Sequence, residues 1–259
     1  MLVDVEYGYA SLLGRRTSNQ DRGACAPPWA FVLDGVGGSL HGAAAAQLGL
    51  AQLLLDAAVA PATFDPPAAR ESFMAELVEA AHRQVSSSLG SGGGSPTGQT
   101  TVSMAHFQFS GDSVVSVAVA AVGDSPVWVV GRDSAPVLVT PARGTPRGEA
   151  PTGLLGAGEH KAQFSCLTLA CPARLVLATD GILALDRAAR AGVVGDLRAR
   201  PQECATRLAE AAIQAGGRDN TTVLVVDLWR GSSGLPGTLL PTVDGDHAFD
   251  APRQPGSVR

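Results

Sequence analysis

Four times in this chain an aspartate stands at the boundary of a strand-like apolar run. Phe31-Val32-Leu33 leads into Asp34-Gly35, Val176-Leu177-Ala178-Thr179 into Asp180-Gly181, and Ala120-Ala121-Val122-Gly123 into Asp124. Gly216-Gly217-Arg218-Asp219-Asn220 places another just before a strand. Aspartate is a poor strand residue, and beside a buried strand it needs a partner or water. For any one of them turn chemistry is reason enough, because Asp-Gly is a common turn pair. A set of them at the ends of core strands can converge on one point. Carboxylates that converge repel each other unless a cation sits among them. Oxygen donors without His or Cys point to Mg2+ or Mn2+ rather than zinc.

The segments between these aspartates come in blocks. Val3 to Tyr7 alternates with period two and reads as a half-buried strand, and Ala30 to Leu33 as a buried one. Leu40 to Ala60, rich in Ala, Leu and Gln, reads as a helix. After a breaker at Pro61 to Pro67, Ala68 to Leu89 repeats Phe73, Leu77, Ala81 and Val85 at helical spacing. Gly90 to Gly98 is a Gly/Ser linker. Strands at hairpin spacing are expected over Thr101–Phe109, Ser113–Val122, Val127–Val130 and Val137–Thr140. Further strands are expected over Ala162–Leu169, Arg174–Ala178 and Thr221–Trp229, with an amphipathic helix at Gln202–Ala215. Helices grouped between antiparallel-looking strands describe an α+β fold, since a doubly wound sheet would alternate strictly. The blocks make one domain over residues 1 to 230. Residues 231 to 259, rich in Gly, Pro, Ser and Asp, are expected to be a disordered tail.

Composition excludes several classes. A net charge of -5 argues against a nucleic-acid binder. Mean hydropathy is +0.15, yet no apolar run reaches the roughly 18 residues of a spanning helix. Val114 to Val130 is broken by Gly123, Asp124, Ser125 and Pro126. Met1 to Tyr9 carries Asp4 and Glu6 without a basic or apolar leader region, so no secretory signal is expected. Cys25, Cys166, Cys171 and Cys204 form no Cys-x-x-Cys pair and read as reduced thiols of a cytoplasmic protein.

Two further groups of residues suit phosphate chemistry. Arg16-Thr17-Ser18-Asn19-Gln20-Asp21 offers a planar guanidinium for a phosphate, with a carboxylate close behind. Asp34-Gly35-Val36-Gly37-Gly38 lets backbone approach a ligand closely, but lacks the Gly-Lys-Ser/Thr ending of a P-loop and the glycine spacing of a dinucleotide fingerprint. With these two groups, Gly98-Gln99-Thr100-Thr101, Val122-Gly123-Asp124-Ser125, Thr179-Asp180-Gly181 and Asp219-Asn220-Thr221-Thr222 follow in order from about residue 16 to residue 226. In that order they resemble the motifs of the metal-dependent protein Ser/Thr phosphatases of the 2C type, in their bacterial form.

The resemblance implies a four-layer α-β-β-α sandwich of two antiparallel sheets flanked by helices. It implies hydrolysis of phosphoserine and phosphothreonine in proteins by a hydroxide bridging two divalent ions, Mg2+ or Mn2+. Asp34 would bridge them and Gly35 would offer its carbonyl. Asp180 and Asp219 would hold the first ion, Asp21 would act through a coordinated water, and Asp124 would line a third, weaker site. Arg16 would grip the substrate phosphate, and the substrates would be phosphoproteins made by a Ser/Thr kinase. The alternative is a catalytically weak member that binds phosphoproteins as a regulatory module. The chain departs from the pattern in three places: Pro126 follows Val-Gly-Asp-Ser where Arg is usual, Val36 stands where the eukaryotic branch has His, and the flap is confined to Thr140–Leu155. That leaves the acid for the leaving group unassigned; His41, alone on an Ala-rich helix start, reads as surface. Pro141, Pro146 and Pro151 should stiffen the flap, and Arg143 and Arg147 should draw acidic phosphopeptides to it.

Overall fold

A computed structural model describes residues 4–36, 41–61, 63–89, 98–111, 114–131, 134–140, 153–156, 158 and 160–229. Two five-stranded antiparallel sheets lie face to face, one ordered β1-β10-β9-β6-β7 and the other β2-β3-β4-β5-β8. The first contains β1 (Asp4–Leu12), β6 (Val127–Val130), β7 (Val137–Leu138), β9 (Ala173–Ala178) and β10 (Thr221–Trp229). The second contains β2 (Asp21–Ala26), β3 (Trp29–Asp34), β4 (Val102–Ser110), β5 (Val114–Val122) and β8 (Gln163–Ala170). Helices α1 (Gly42–Ala57) and α2 (Pro67–Leu89) cover the second sheet; α3 (Arg187–Val194) and α4 (Pro201–Gln214) cover the first. The expected four layers are present.

The period of two in each strand explains the layering. In β3, Ala30 and Val32 enter the core between the sheets, while Trp29, Phe31 and Leu33 pack under α1 and α2. β5 sends Val115, Val117 and Val119 inward and Ala118, Ala120 and Val122 toward the helices. In β10, Leu224, Val226 and Leu228 line the central core, and Val223 and Val225 meet α4. Strands buried on both faces read as continuous apolar runs, which is why alternation alone does not reveal them. α4 follows the periodic pattern, burying Cys204, Ala205, Leu208, Ala209 and Ala212 after Pro201 in its first turn.

Three features differ from the sequence expectations. Asp21–Ala26, where the sequence pattern suggests no element, is strand β2, formed by pairing along its whole length with β3. The short helix α3 was not foreseen; Asp186 caps it by accepting from the Ala189 N–H at 2.8 Å. The expected hairpin between β5 and β6 is a crossover from one sheet to the other. It turns at Gly123, whose φ of +99° only glycine adopts readily. Pro126 fits there because its carbonyl accepts from Ala178 N at 3.0 Å and no N–H is asked of it.

The Gly/Ser linker over residues 90–97, Gly37 and Gly38, the flap residues 141–152 and the tail 231–259 lie outside the described residues. Among the described residues no helix is long and apolar enough to cross a membrane. All four cysteines are free thiols, with Cys166 exposed and the others buried.

Candidate active site

The site forms where the ends of β3 and β9, the start of β2 and the loops before β2 and β10 meet. Asp34 closes β3 directly opposite Asp21, which opens β2. The backbone of Asp34 is pinned by a pair of threonines. Its N–H donates to Thr101 Oγ1 at 3.0 Å, and its carbonyl accepts from Thr101 N at 2.8 Å and Thr100 Oγ1 at 2.9 Å. This is the physical role of the Gly-x-Thr-Thr segment. Gly35 has to be glycine: a Cβ there would strike the carbonyls of Gly42 and Gln20.

Asp21 is buried, and Thr179 Oγ1 donates to its Oδ2 at 2.8 Å. Its Oδ1 is buried with no hydrogen-bond partner among the described residues. Thr179 in turn accepts from Thr222 N at 2.9 Å. The hydroxyl before Asp180 therefore joins β9, β10 and β2 at one point.

Asp219 is held from two sides. Arg16 Nη2 donates to its Oδ2 at 2.7 Å, and Asn220 N donates to its Oδ1 at 2.9 Å. Asn220 ties down the loop that carries Arg16. Its Oδ1 accepts from Gln20 N at 2.9 Å, and its Nδ2 donates to the carbonyls of Leu13 and Ser18 at 2.9 and 3.1 Å. Asn19 donates to Ser11 Oγ at 2.8 Å and accepts from Asp21 N at 3.1 Å. These asparagines were visible as motif letters, but their anchoring work could not be read from spacing.

The electrostatics show that the carboxylates share one place. Burial raises the pKa of Asp34 well above the carboxylate range, and the charges of Asp21, Asp180, Asp219 and Asp124 raise it further. Burial, then Asp124 and Asp219, push Asp180 up to about 6, with Asp34 as a hydrogen-bond partner and Arg16 pulling it back. Burial takes Asp21 to about 7 against the Thr222 and Thr179 hydroxyls. Burial also raises Asp124, at the crossover after β5. All the aspartates singled out in the sequence thus lie near enough to Asp34 to act on its charge. His41 does not join them; it is exposed at the start of α1.

A depression of about 260 Å³ opens over the cluster, lined by Arg16, Asp180, Gly181, Ala184, Gly217, Arg218 and Asp219. A larger one, about 630 Å³, lies away from it between α1 and α2. Of the two, the smaller is the one lined by aspartates of the cluster, Asp180 and Asp219, together with Arg16. Among the described residues no three His, Cys, Asp or Glu side chains are drawn tightly enough to cage an ion as they stand. The donor set nonetheless fits a hard divalent cation. It is all oxygen, it repels itself, and one buried carboxylate oxygen has no partner.

No family model and no curated protein matches the sequence. Solved structures do. The chain is similar to the PPM Ser-Thr phosphatase MsPP from Mycobacterium smegmatis in complex with cacodylate, with 27% identity over 86% of this chain and 98% of that one, at a TM-score of 0.71. It is similar to the catalytic domain of the serine/threonine protein phosphatase PstP in complex with two manganese ions, with 22% identity over 88% and 100%, at 0.72. It is similar to the serine/threonine phosphatase Stp1 from Staphylococcus aureus, with 16% identity over 89% and 96%, at 0.70. The α-β-β-α sandwich expected from the motifs is the fold these structures share with this chain.

Proposed function

We propose that this chain, built on the fold of the bacterial 2C-type phosphatases, is a metal-dependent phosphoprotein phosphatase that hydrolyses phosphoserine and phosphothreonine. One observation carries the reading: Asp34, paired opposite Asp21 at the end of a buried strand, also feels the charges of Asp180, Asp219 and Asp124. A module that only binds phosphoproteins has no need of so much mutual repulsion.

Asp34, the Gly35 carbonyl, Asp180 and Asp219 would hold two divalent ions, with Asp21 behind them and Asp124 beside a third, weaker position. Mg2+ or Mn2+ bound there supplies a water of lowered pKa and positive charge for the phosphoryl oxygens. The protein's own contribution is placement. Thr100 and Thr101 fix Asp34, Thr179 fixes Asp21, and Asn220 fixes the loop that carries Arg16. Arg16 bonds Asp219 through Nη2 alone and its side chain is 46% exposed. Among the described residues its remaining guanidinium donors have no partner, which leaves them for the equatorial oxygens of a phosphate.

The catalytic unit would be residues 1–230, acting in the cytoplasm on the products of a Ser/Thr kinase. The four free thiols support that setting. The decisive experiment measures phosphate released from a phosphothreonine peptide with Mn2+, with Mg2+ and with chelator. Release only with metal is expected; equal release with chelator sinks the reading.

A further inference from the structure

Away from the aspartates, a pair of stacked histidines joins α2 to the segment that runs on from the flap. The rings of His82 and His160 are stacked, with centroids 3.6 Å apart and planes 14° apart. His160 Nε2 lies 2.9 Å from Glu79 Oε1, one turn before His82 on α2. His82 Nδ1 accepts from Gly156 N at 3.4 Å, and its Nε2 lies 3.2 Å from Ser86 Oγ.

These bonds assign the protonation state. A backbone N–H can only donate, so His82 Nδ1 is bare and the ring is the neutral Nε2–H tautomer. The Glu79 carboxylate accepts, so His160 carries its proton on Nε2. Its Nδ1 is buried with no hydrogen-bond partner among the described residues. A second proton has no place on His82, where it would point at the Gly156 N–H. The ionisable groups facing His82 are His160, Glu79 and Arg83. Burial lowers its pKa, His160 and Arg83 lower it further, and Glu79 opposes them.

The segment held here reaches the site. Leu155, fully buried, pairs with Thr100 through bonds of 2.8 and 3.2 Å. Thr100 pairs on its other side with Gly35, and its hydroxyl bonds the Asp34 carbonyl at 2.9 Å. Gly156 is the next residue along from that bridge.

We propose that His82 is a positioning residue: stacked on His160, it clamps Gly153–Gly156 onto Thr100 behind Asp34, and the clamp holds only while the His82 imidazole is neutral. Acid then loosens the backing of Asp34 through an imidazole that is no part of the carboxylate cluster. The consequence for turnover rests on the phosphatase reading; the clamp itself does not.

Hydrogen exchange of the full chain without metal tests the clamp, at about pH 7.5 and about pH 5.5, on either side of the ordinary imidazole value of about 6.5. With rates corrected for the intrinsic effect of pH, protection of Thr100, Leu155 and Gly156 should fall by up to about tenfold in acid while α4 stays protected. His82→Asn leaves an acceptor near the position of Nδ1 and cannot take a proton, so its protection should be the same at both pH values. His82→Leu has no acceptor and should be poorly protected at both. Wild-type protection that ignores pH, or His82→Asn that follows the wild type, overturns the proposal. A histidine NMR titration of the wild type needs no variant to fold. His82 should titrate below the free imidazole value, and titration at or above it overturns the proposal too. Mn2+-dependent phosphate release is then compared. In acid, kcat should fall more steeply for the wild type than for His82→Asn, and identical acid limbs overturn the catalytic role. Exchange that responds as expected in a protein that releases no phosphate from any peptide supports the clamp and rejects the phosphatase reading.

Discussion

Asp34 ends its strand directly opposite Asp21, which begins the neighbouring one. Like charges facing each other across a ladder destabilise it, and here burial adds to the cost. The metal-free protein should therefore gain from losing one of them. Asp34→Asn should melt higher than wild type in chelator, and should lose on the order of a hundredfold or more of Mn2+-dependent turnover, as when a main electrostatic stabiliser is removed. Thermal melts in chelator and phosphate release measure the two effects. Near wild-type turnover would show that Asp34 is not at the centre of the chemistry.

The same carboxylates give the metal-free protein an unusual pH dependence. Their folded pKa values are raised, Asp180 to about 6 and Asp21 to about 7, with Asp34 also well above the carboxylate range. The native state then binds more protons than the unfolded chain between about pH 4 and pH 7, so stability falls as pH rises through that window. Urea midpoints in chelator should drop from about pH 5 to about pH 7, and Mn2+ should reverse the drop by binding only the native state. A chelated midpoint that climbs with pH would contradict the clustering.

His106 pulls the other way. Its ring lies 4.5 Å from Trp29 and 5.2 Å from Phe64 between centroids, and neither nitrogen has a hydrogen-bond partner among the described residues. Burial, helped by Arg70, pushes its pKa down to about 3. Its folded pKa lies below its unfolded one, so its contribution is lost as pH falls from about 6.5 toward 3. One imidazole opposes several carboxylates, so the carboxylates set the net slope. His106→Phe should steepen that slope and stabilise the protein by about 2 kcal/mol at about pH 5, on the scale of about 1.4 kcal/mol per pKa unit. Equal urea midpoints for variant and wild type in acid would mean that the ring takes up protons normally.

Helix α2 could be read from the sequence because Phe73, Leu77, Ala81 and Val85 recur on the face that meets the sheet. The aspartates could be read because each sits where an apolar run breaks. β2 could not: Asp21–Ala26 has no β-branched residue and is a strand only because β3 lies beside it. Helix α3 buries only Val194, too little for a periodic signal. The supports of the site were hidden for the same reason. Thr101 beside Asp34, Thr179 beside Asp21 and His82 beside His160 are neighbours through tertiary pairing, and no local spacing encodes them.

Arg174 and Asp227 face each other across β9 and β10 and bond through two contacts of 2.6 and 2.7 Å. The guanidinium, fully buried, also donates to the carbonyls of Asp196 at 2.8 Å and Ala199 at 2.6 Å, tying the α3–α4 connection to the sheet. Arg174→Ala leaves a half-buried carboxylate and two carbonyls without donors. It should cost about 3–5 kcal/mol, whereas the double change Arg174→Met with Asp227→Leu should recover most of that. Urea denaturation decides it; a single variant as stable as wild type would mean the pair carries no structural load.

Arg16 separates substrate binding from the chemical step. Its guanidinium is bound to Asp219 at 2.7 Å and is half exposed at the mouth of the depression. A phosphate dianion entering there meets donors already aimed by the Asn220-anchored loop, so little ordering is needed on binding. These bonds form with the ground-state phosphate and persist in the transition state, so their loss should appear first in KM. Charge-assisted hydrogen bonds are worth about 1.5–3 kcal/mol, so Arg16→Ala should lower kcat/KM by roughly tenfold to a hundredfold, with most of the change in KM. Arg16→Lys keeps the charge without the planar fork and should fall between. Steady-state kinetics on one phosphopeptide, with Mn2+ titrated separately for each variant, distinguishes this role from metal retention. If Arg16→Ala instead weakens Mn2+ and leaves KM for the phosphopeptide unchanged, the residue serves Asp219 and not the phosphate.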